Sequence, residues 1–258
     1  MEFSNRTALV TGATGSIGKE IARRIVEEGG RVFITDLEQS KLDAVAAKLG
    51  ANCKGLAADC TKAEQVVAVV QKCQQVFGQN IDILINVAGI TGQGGKIEDM
   101  SEETWDFVFA VNCKGTFFFI KEVMPIMKTQ GHGSIVNFSS KSGKTGSALM
   151  SAYSAAKGAI ITLTQALAFE VAKQNIRVNC ICPGPTEGTT MWDGVTADYV
   201  NTMSMSEEEI LKIFTAKIPM GRLATVKDVV EVTCFMASDR AAYMTGQAIN
   251  VTGGREMH

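Results

Sequence analysis

Three side chains near the middle of the sequence could together move a proton. Tyr153 and Lys157 lie four residues apart on a predicted helix, so they share one face of it. Ser140 follows a predicted strand, at the sheet edge where open α/β folds bind ligands. A phenol has a pKa of about 10, too high for a base at neutral pH, and a neighbouring ammonium favours the phenolate. We therefore expect Lys157 to tune Tyr153 for proton transfer.

The reaction that suits this set is removal of a proton from an alcohol. Tyr153 would take the proton, while Ser140 would hydrogen-bond the substrate oxygen and stabilise its developing charge. Asn112, in the middle of a long predicted helix, could kink that helix and hold a water for proton relay; the alternative is a polar residue on a solvated face. The only histidines are His132 and His258, which leave little material for a nucleophile triad or a zinc site. We predict no metal.

A glycine-rich turn indicates a dinucleotide cofactor. The residues Thr-Gly-Ala-Thr-Gly-Ser-Ile-Gly at 11–18 follow a predicted strand and open a helix. Gly12 would allow the tight turn, Gly15 would let a pyrophosphate approach the backbone, and Gly18 would permit close helix–strand packing. Asp36, 18 residues after Gly18, could accept hydrogen bonds from ribose hydroxyls and would repel a 2′-phosphate. The pattern predicts NAD rather than NADP.

Further cofactor contacts are expected around this turn and at the ends of neighbouring strands. Asp59 ends the third predicted strand, where it could touch the adenine edge, and small residues at 86–89 would let the backbone approach the cofactor. The other residues predicted to bind the cofactor in this part of the chain are Ser16, Ile17, Leu37, Cys60, Val87, Ala88 and Gly89.

Strands and helices must alternate to place these residues at one edge of a sheet. Short apolar runs predict strands at 7–11, 31–35, 53–58, 81–86, 134–139, 177–181 and near 247–251. Amphipathic stretches predict helices at 16–29, 39–49, 62–77, 101–130, 150–174 and 225–238. The alternation predicts a single α/β domain over 1–258, a doubly wound Rossmann fold with a seven-stranded parallel sheet and helices on both faces. The segment 183–220 departs from this rhythm and is interpreted as a substrate loop or lid; the alternative is a helical excursion that only packs.

Composition narrows the class of protein. The net charge is −2, and no basic stripe of the kind that binds nucleic acid is visible. The longest apolar runs are far shorter than the roughly 20 residues of a membrane span, and the N-terminus runs directly into a strand pattern. Seven cysteines without a C-x-x-C motif are interpreted as buried thiols in a reducing compartment. We expect a cytoplasmic protein that binds neither membranes nor nucleic acid.

In their order and spacing, these motifs resemble the short-chain dehydrogenase/reductase family over essentially the whole chain. The resemblance implies a catalytic tetrad of Asn112, Ser140, Tyr153 and Lys157. It also implies that the segment containing Pro183, Gly184 and Thr186 passes beside the nicotinamide carboxamide, and that the protein is a homotetramer. Two positions depart from the family pattern, since Val87 stands where a second asparagine is usual and Thr252 where an aspartate is frequent.

A narrower resemblance is to the sorbitol-6-phosphate 2-dehydrogenase and polyol dehydrogenase branch, through residues 139–144, 191–192 and 243–254. It implies reversible hydride transfer between NAD and a sugar alcohol or its phosphate, with Ser140, Lys141, Tyr153, Met191 and Trp192 at the substrate. Lys141 and Lys144 could hold a phosphate, or could be two solvated lysines. The alternatives are a diol, acetoin, hydroxysteroid or 3-oxoacyl substrate, and, as a non-enzyme, a dinucleotide-sensing binding protein.

Overall fold

A computed structural model describes residues 1–203 and 205–258, without the side chains of residues 198, 199 and 201–203. All the sheet strands run parallel, and their spatial order is β3-β2-β1-β4-β5-β6-β7. They span β1 Thr7–Thr11, β2 Arg31–Thr35, β3 Cys53–Gly55, β4 Ile83–Asn86, β5 Gly133–Phe138, β6 Ile176–Pro183 and β7 Ala248–Val251. The predicted seven-stranded doubly wound sheet is therefore confirmed. The strand order reverses between β1 and β4, which opens a crevice at their carboxyl ends.

Helices cover both faces of the sheet. They span α1 Ser16–Glu27, α2 Gln39–Leu49, α3 Ala63–Phe77, α4 Glu102–Phe109, α5 Thr116–Gln130, α6 Lys141–Thr145, α7 Ser151–Val171, α8 Thr190–Met203, α9 Glu207–Thr215 and α10 Val226–Ala237. One core packs α1, α2 and α10 on the sheet, and a second packs α3, α5 and α7 on the other face. Because both faces are covered, the central strands are largely buried: all five residues of β1 are inaccessible to water.

The predicted helix at 101–130 is interrupted in its middle. The segment Ala110–Gly115 between α4 and α5 is a π-helix. The Asn112 side-chain Nδ2 donates to the carbonyl oxygen of Val108, at 2.9 Å, and the Thr116 hydroxyl donates to the carbonyl of Asn112, also at 2.9 Å. These side chains compete with backbone amides for carbonyls, and such bulges are frequent at functional sites. The local distortion expected at Asn112 is therefore present.

Two further differences from the sequence prediction lie near the carboxyl edge of the sheet. The third strand ends at Gly55 rather than at residue 58, although backbone pairing continues loosely where the Ala58 amide donates to the Asp36 carbonyl, at 2.8 Å. The segment 183–220 is not an irregular loop, because it contains α8 and α9. A capping box between Ser206 and Glu209 begins α9, a signal that was present in the sequence.

Among the residues that the structure describes, one helix has the length and composition of a membrane span. It covers Ser151–Gln174, which is α7 with a following 3-10 turn. This helix packs against β5, β6 and α6, and its buried face includes Tyr153, Ala156 and Ile160. Core helices of soluble proteins pass the same test, so a single helix of this kind is weak evidence of a membrane span.

Candidate active site

A cavity of about 770 Å³ opens at the carboxyl edge of the sheet. It brings together every residue that the sequence assigned to cofactor or substrate, and of the proposed tetrad only Asn112 does not line it. Its lining includes Gly12, Ser16, Ile17, Gly18, Asp36, Leu37, Asp59, Cys60, Val87, Ala88, Gly89, Ser140, Lys141, Tyr153, Lys157, Pro183, Gly184, Thr186, Met191 and Trp192.

The glycine-rich turn forms a floor without side chains. Gly12 has φ +64°, and a Cβ there would lie 2.8 Å from the Ala88 amide nitrogen. A Cβ at Gly18 would overlap the carbonyl oxygen of Gly12. Backbone conformation and close packing therefore both require glycine. A floor of this kind, opening the N-terminus of α1, fits the pyrophosphate of a dinucleotide.

Asp36 is fixed at the end of β2 by the same turn. Its Oδ2 accepts hydrogen bonds from the Thr14 amide, at 2.9 Å, and the Thr14 hydroxyl, at 2.6 Å, while Oδ1 accepts from the Leu37 amide, at 2.8 Å. Thr14 was not among the predicted site residues. Since the carboxylate is half-buried and held by three donors, it presents a fixed negative charge at this end of the cavity.

Tyr153 lies on α7 with 5% of its surface exposed. Its hydroxyl donates to the Met191 Sδ, at 3.6 Å, and also interacts with the Ser140 hydroxyl. Burial raises the pKa of Tyr153 to about 12, against a smaller lowering effect of the Ser140 hydroxyl. In the protein by itself the phenol is thus less acidic than usual, opposite to the direction expected from the neighbouring ammonium.

Lys157 is buried one helical turn further along α7. Its Nζ donates to the Phe138 carbonyl, at 2.9 Å, and lies 5.6 Å from the centre of the Tyr153 ring. Burial lowers the pKa of Lys157 to about 8. The Ser139 hydroxyl donates to the Lys157 carbonyl, at 2.7 Å, and so ties α7 to the end of β5. The ammonium therefore lies over the face of the phenol ring rather than in an ion pair.

Asn112 is fully buried directly behind the cavity. The interpretation as a residue on a solvated helix face was therefore wrong. Nδ2 donates to the carbonyls of Ile90, at 2.8 Å, and Val108, while Oδ1 has no hydrogen-bond partner. A Cβ at Gly89 would lie 2.7 Å from this Oδ1 and 3.0 Å from Lys157 Nζ. An unpaired buried oxygen is costly, so the site has an unused acceptor that a water or ligand donor would satisfy.

The end of the cavity that the sequence assigned to the substrate, called the substrate end below, is formed by α8, α9 and the turn that follows β7. Trp192 packs edge-on against Phe214, with ring centroids 5.1 Å apart. Lys141 is half-buried and donates to the Ser147 hydroxyl, at 2.7 Å. Lys144 instead donates to the Ala248 carbonyl, at 2.8 Å, and does not line the cavity. The idea that both lysines hold a phosphate is therefore wrong for Lys144.

Sequence reasoning missed further residues at this end, among them Phe214, Lys217 and Arg255. Arg255 follows Gly253 and Gly254, just after β7, and the carboxyl edge of that strand was the available signal. The seven cysteines are free thiols. Within the residues that the structure describes, no group of three or more His, Cys, Asp or Glu side chains is arranged to hold a metal ion.

Comparison with known proteins identifies the class. A family model described as enoyl-(acyl carrier protein) reductase matches residues 12–256. The chain belongs to the short-chain dehydrogenase/reductase family.

Individual relatives differ in their substrates. The 2-(S)-hydroxypropyl-CoM dehydrogenase 3 of Xanthobacter autotrophicus is 38% identical over 255 residues, which cover 98% of this chain and 97% of the relative. An NAD⁺-bound xylitol dehydrogenase structure has a TM-score of 0.93 at 31% identity, covering 98% and 100% of the two chains. A variant of an actinorhodin polyketide ketoreductase with NADPH also has a TM-score of 0.93, at 34% identity, covering 99% and 100%. The relatives therefore share the fold and the oxidoreductase class, but neither one substrate nor one cofactor.

Proposed function

We propose that this protein is an NAD-dependent oxidoreductase that transfers a hydride reversibly between NAD and a secondary alcohol or ketone. The observation that carries this proposal is the meeting of Ser140, Tyr153 and Lys157 in one cavity with a glycine-floored turn. Ser140 would accept or donate a hydrogen bond at the substrate oxygen, and Tyr153 would exchange a proton with that oxygen. When bound, the nicotinamide supplies the hydride donor or acceptor.

The protonation state of Tyr153 suits one direction directly. With a pKa of about 12, the phenol is protonated at neutral pH and can donate to a ketone oxygen as it becomes an alkoxide. Alcohol oxidation needs the phenolate, which nearby positive charge from Lys157 would favour. Lys157 would also hold the nicotinamide ribose. Asn112 Oδ1, which is buried without a partner, would hold a water at the inner end of a proton relay.

The preference for NAD rests on the charge at the ribose end. Asp36 would accept hydrogen bonds from adenosine ribose hydroxyls and would repel a 2′-phosphate. Leu37, which is 68% exposed, would cover the adenine rather than pair with a phosphate. Pro183, Gly184 and Thr186 would contact the nicotinamide carboxamide. The xylitol dehydrogenase structure with NAD⁺ supports a preference for NAD. Because the ketoreductase structure contains NADPH, activity must be compared with both cofactors.

For the substrate we propose a sugar alcohol or its phosphate, contacted by Ser140, Lys141, Met191 and Trp192. The likeness to xylitol dehydrogenase supports a polyol. The alternative within the family is another alcohol, such as a diol or acetoin, a hydroxysteroid or a 3-oxoacyl compound. The segment 183–220 would act as a lid over the substrate, since α8 and α9 form that end of the cavity.

The test is Tyr153→Phe, assayed with a panel of polyols, their phosphates, diols and hydroxysteroids against NAD and NADP. We expect turnover to fall by about 10²- to 10⁴-fold, the usual contribution of a general acid–base group, with NADH affinity nearly unchanged. Substantial activity in this variant would overturn the mechanism. NADH binding by the wild type without any turnover would instead favour a dinucleotide-sensing protein.

We further propose a cytoplasmic homotetramer. In the single chain, several large apolar side chains are exposed on helices and near β7, as subunit contacts would require: Phe117, Phe169 and Tyr243. Phe169, on α7, is 90% exposed. Burying these side chains between subunits would remove their apolar surface from water.

A further inference from the structure

Three cations surround the substrate end of the cavity: Lys141, Lys217 and Arg255. They come from separate parts of the chain, since Lys141 directly follows Ser140, Lys217 follows α9, and Arg255 follows β7. The Met220 amide donates to the Gly253 carbonyl, at 3.1 Å, and this bond joins the segment after α9 to the turn that follows β7. The fold thus brings the three side chains together at one place.

A chain of side-chain contacts places these cations beside the reacting centre. The Tyr153 hydroxyl contacts the Met191 sulfur, and the next residue, Trp192, packs edge-on against Phe214. The Arg255 guanidinium lies over the Phe214 ring, 5.7 Å from its centre. The cations are therefore at the substrate end, whereas Asp36 and Asp59, the acidic residues among the described cavity lining, are at the ends of β2 and beyond β3.

The positive charge at this end is only partly balanced. Among the described side chains, Glu256 is the carboxylate that interacts with the cluster, and its Oε1 lies 3.5 Å from Arg255 Nε. Three cations and one anion leave a formal charge of +2. Arg255 Nη1 is buried without a hydrogen-bond partner, and its side chain is only 15% exposed. A mostly buried guanidinium with an unused donor calls for an acceptor.

Burial and repulsion within the cluster act in the same direction on Lys141. Burial, with smaller contributions from Arg255 and Lys217, lowers the pKa of Lys141, while Glu256 raises it. An anion bound between the three groups would relieve this repulsion.

From this arrangement we infer that the substrate carries an anionic, oxygen-rich group, a phosphate, sulfonate or carboxylate, which is held by Lys141, Lys217 and Arg255. The inference rests on the proposed function and narrows it to charged secondary alcohols and their ketones. The cofactor is not the source of this anion, because its pyrophosphate would lie on the glycine floor at the other end of the cavity.

The experiment compares matched pairs of alcohols: a sugar alcohol with its monophosphate, and a short secondary alcohol with its sulfonate and carboxylate derivatives. The wild type should have a kcat/KM at least tenfold higher for one charged member than for its neutral partner, and this preference should decrease as salt is added. Lys217→Gln and Arg255→Gln should each reduce kcat/KM for that anion by about tenfold or more, with a much smaller loss for the neutral alcohol. Lys212→Gln is the matched control, because Lys212 is on α9 but does not line the cavity; it should change neither value.

A second measurement separates this inference from the proposed function. Inorganic phosphate is titrated calorimetrically into the protein saturated with NADH, where the pyrophosphate site is filled. The wild type should bind phosphate. The inference is supported, even if no alcohol is oxidised, when Lys217→Gln weakens this binding at least fivefold and Lys212→Gln does not. The inference would be overturned if the enzyme oxidised neutral alcohols and showed no preference for their charged partners. It would also be overturned if Lys217→Gln and Lys212→Gln had equal effects. Both results would leave the proposed function intact. Absence of turnover with every alcohol and ketone would overturn the proposed function instead.

Discussion

Burial of the Lys157 ammonium lowers the stability of the folded protein, and a substitution at this residue can measure the effect. Its pKa of about 8 in the folded protein lies below the value of about 10.5 in an unfolded chain. Below pH 8 both states bind the proton, and the full cost of burying the ammonium is present. Between pH 8 and 10.5 the unfolded chain binds more protons, so the stability of the folded protein rises with pH.

We therefore predict that Lys157→Met stabilises the cofactor-free protein at pH 7 while removing activity. The expected gain is about 1–3 kcal/mol, or several degrees in Tm, reduced by the loss of the hydrogen bond to the Phe138 carbonyl. Thermal unfolding of both proteins from pH 7 to 10 checks this, because the difference should shrink as the pH rises. A variant that is less stable than the wild type at pH 7 would contradict the cause given for the lowered pKa.

At the scale of elements, α9 forms one wall of the substrate end. Its first turn is held by the capping box of Ser206 and Glu209, in which the Ser206 hydroxyl accepts from the Glu209 amide, at 3.3 Å. Loss of such a cap costs about 1 kcal/mol. Because Phe214 lies on α9 and Lys217 just after it, loosening this helix should affect the substrate and not the dinucleotide.

Ser206→Ala is predicted to raise KM for the alcohol by about two- to fivefold, without a change in NADH affinity. Thr225→Ala is the matched control, since it removes the capping box of α10, which does not line the cavity. Both variants should lose similar stability in chemical denaturation, and only Ser206→Ala should change KM. If both variants changed KM equally, the effect would come from lost stability and not from the part of the cavity that α9 forms.

The elements also show how far sequence reasoning reaches. Strand–helix alternation predicted the sheet correctly because parallel strands buried on both faces leave continuous apolar runs. The π-helix around Asn112 could be expected only as a distortion, since its geometry depends on side-chain bonds to Ile90 and Val108. Helices in the segment 183–220 were considered only as an alternative, without bounds, although the capping box at Ser206 marks the start of α9 in the sequence.

A site residue could be predicted when its type and its neighbours in sequence determine its position. The glycine turn, Asp36 and the pair Tyr153 and Lys157 meet these conditions, and all line the cavity. The raised pKa of Tyr153 was not predictable, because the burial that causes it depends on the whole fold. The position of Lys217 beside Lys141 and Arg255 was also not predictable, because these three residues are distant in sequence.

At the scale of the whole molecule, the single chain exposes apolar surface that a tetramer would cover. We predict a mass of about 110 kDa by light scattering, four times the 27.6 kDa of the chain. Phe169→Asp should reduce this mass, because a carboxylate in a subunit contact would be buried without a partner. Val76→Asp, at a partly exposed apolar position on α3, should leave it unchanged. A wild-type mass of 27.6 kDa would exclude the tetramer.

The two ends of the cavity belong to different stretches of chain. The glycine floor and Asp36 come from the first 36 residues, whereas Met191, Trp192 and Lys217 come from the segment 183–220. Exchange of the part of that segment that follows Thr186, together with substitutions at Lys141 and Arg255, should transfer substrate choice while the glycine floor and Asp36 stay unchanged. Such a chimaera would retain the nucleotide half of the site, and selection for new alcohols could concentrate on one segment and two further positions.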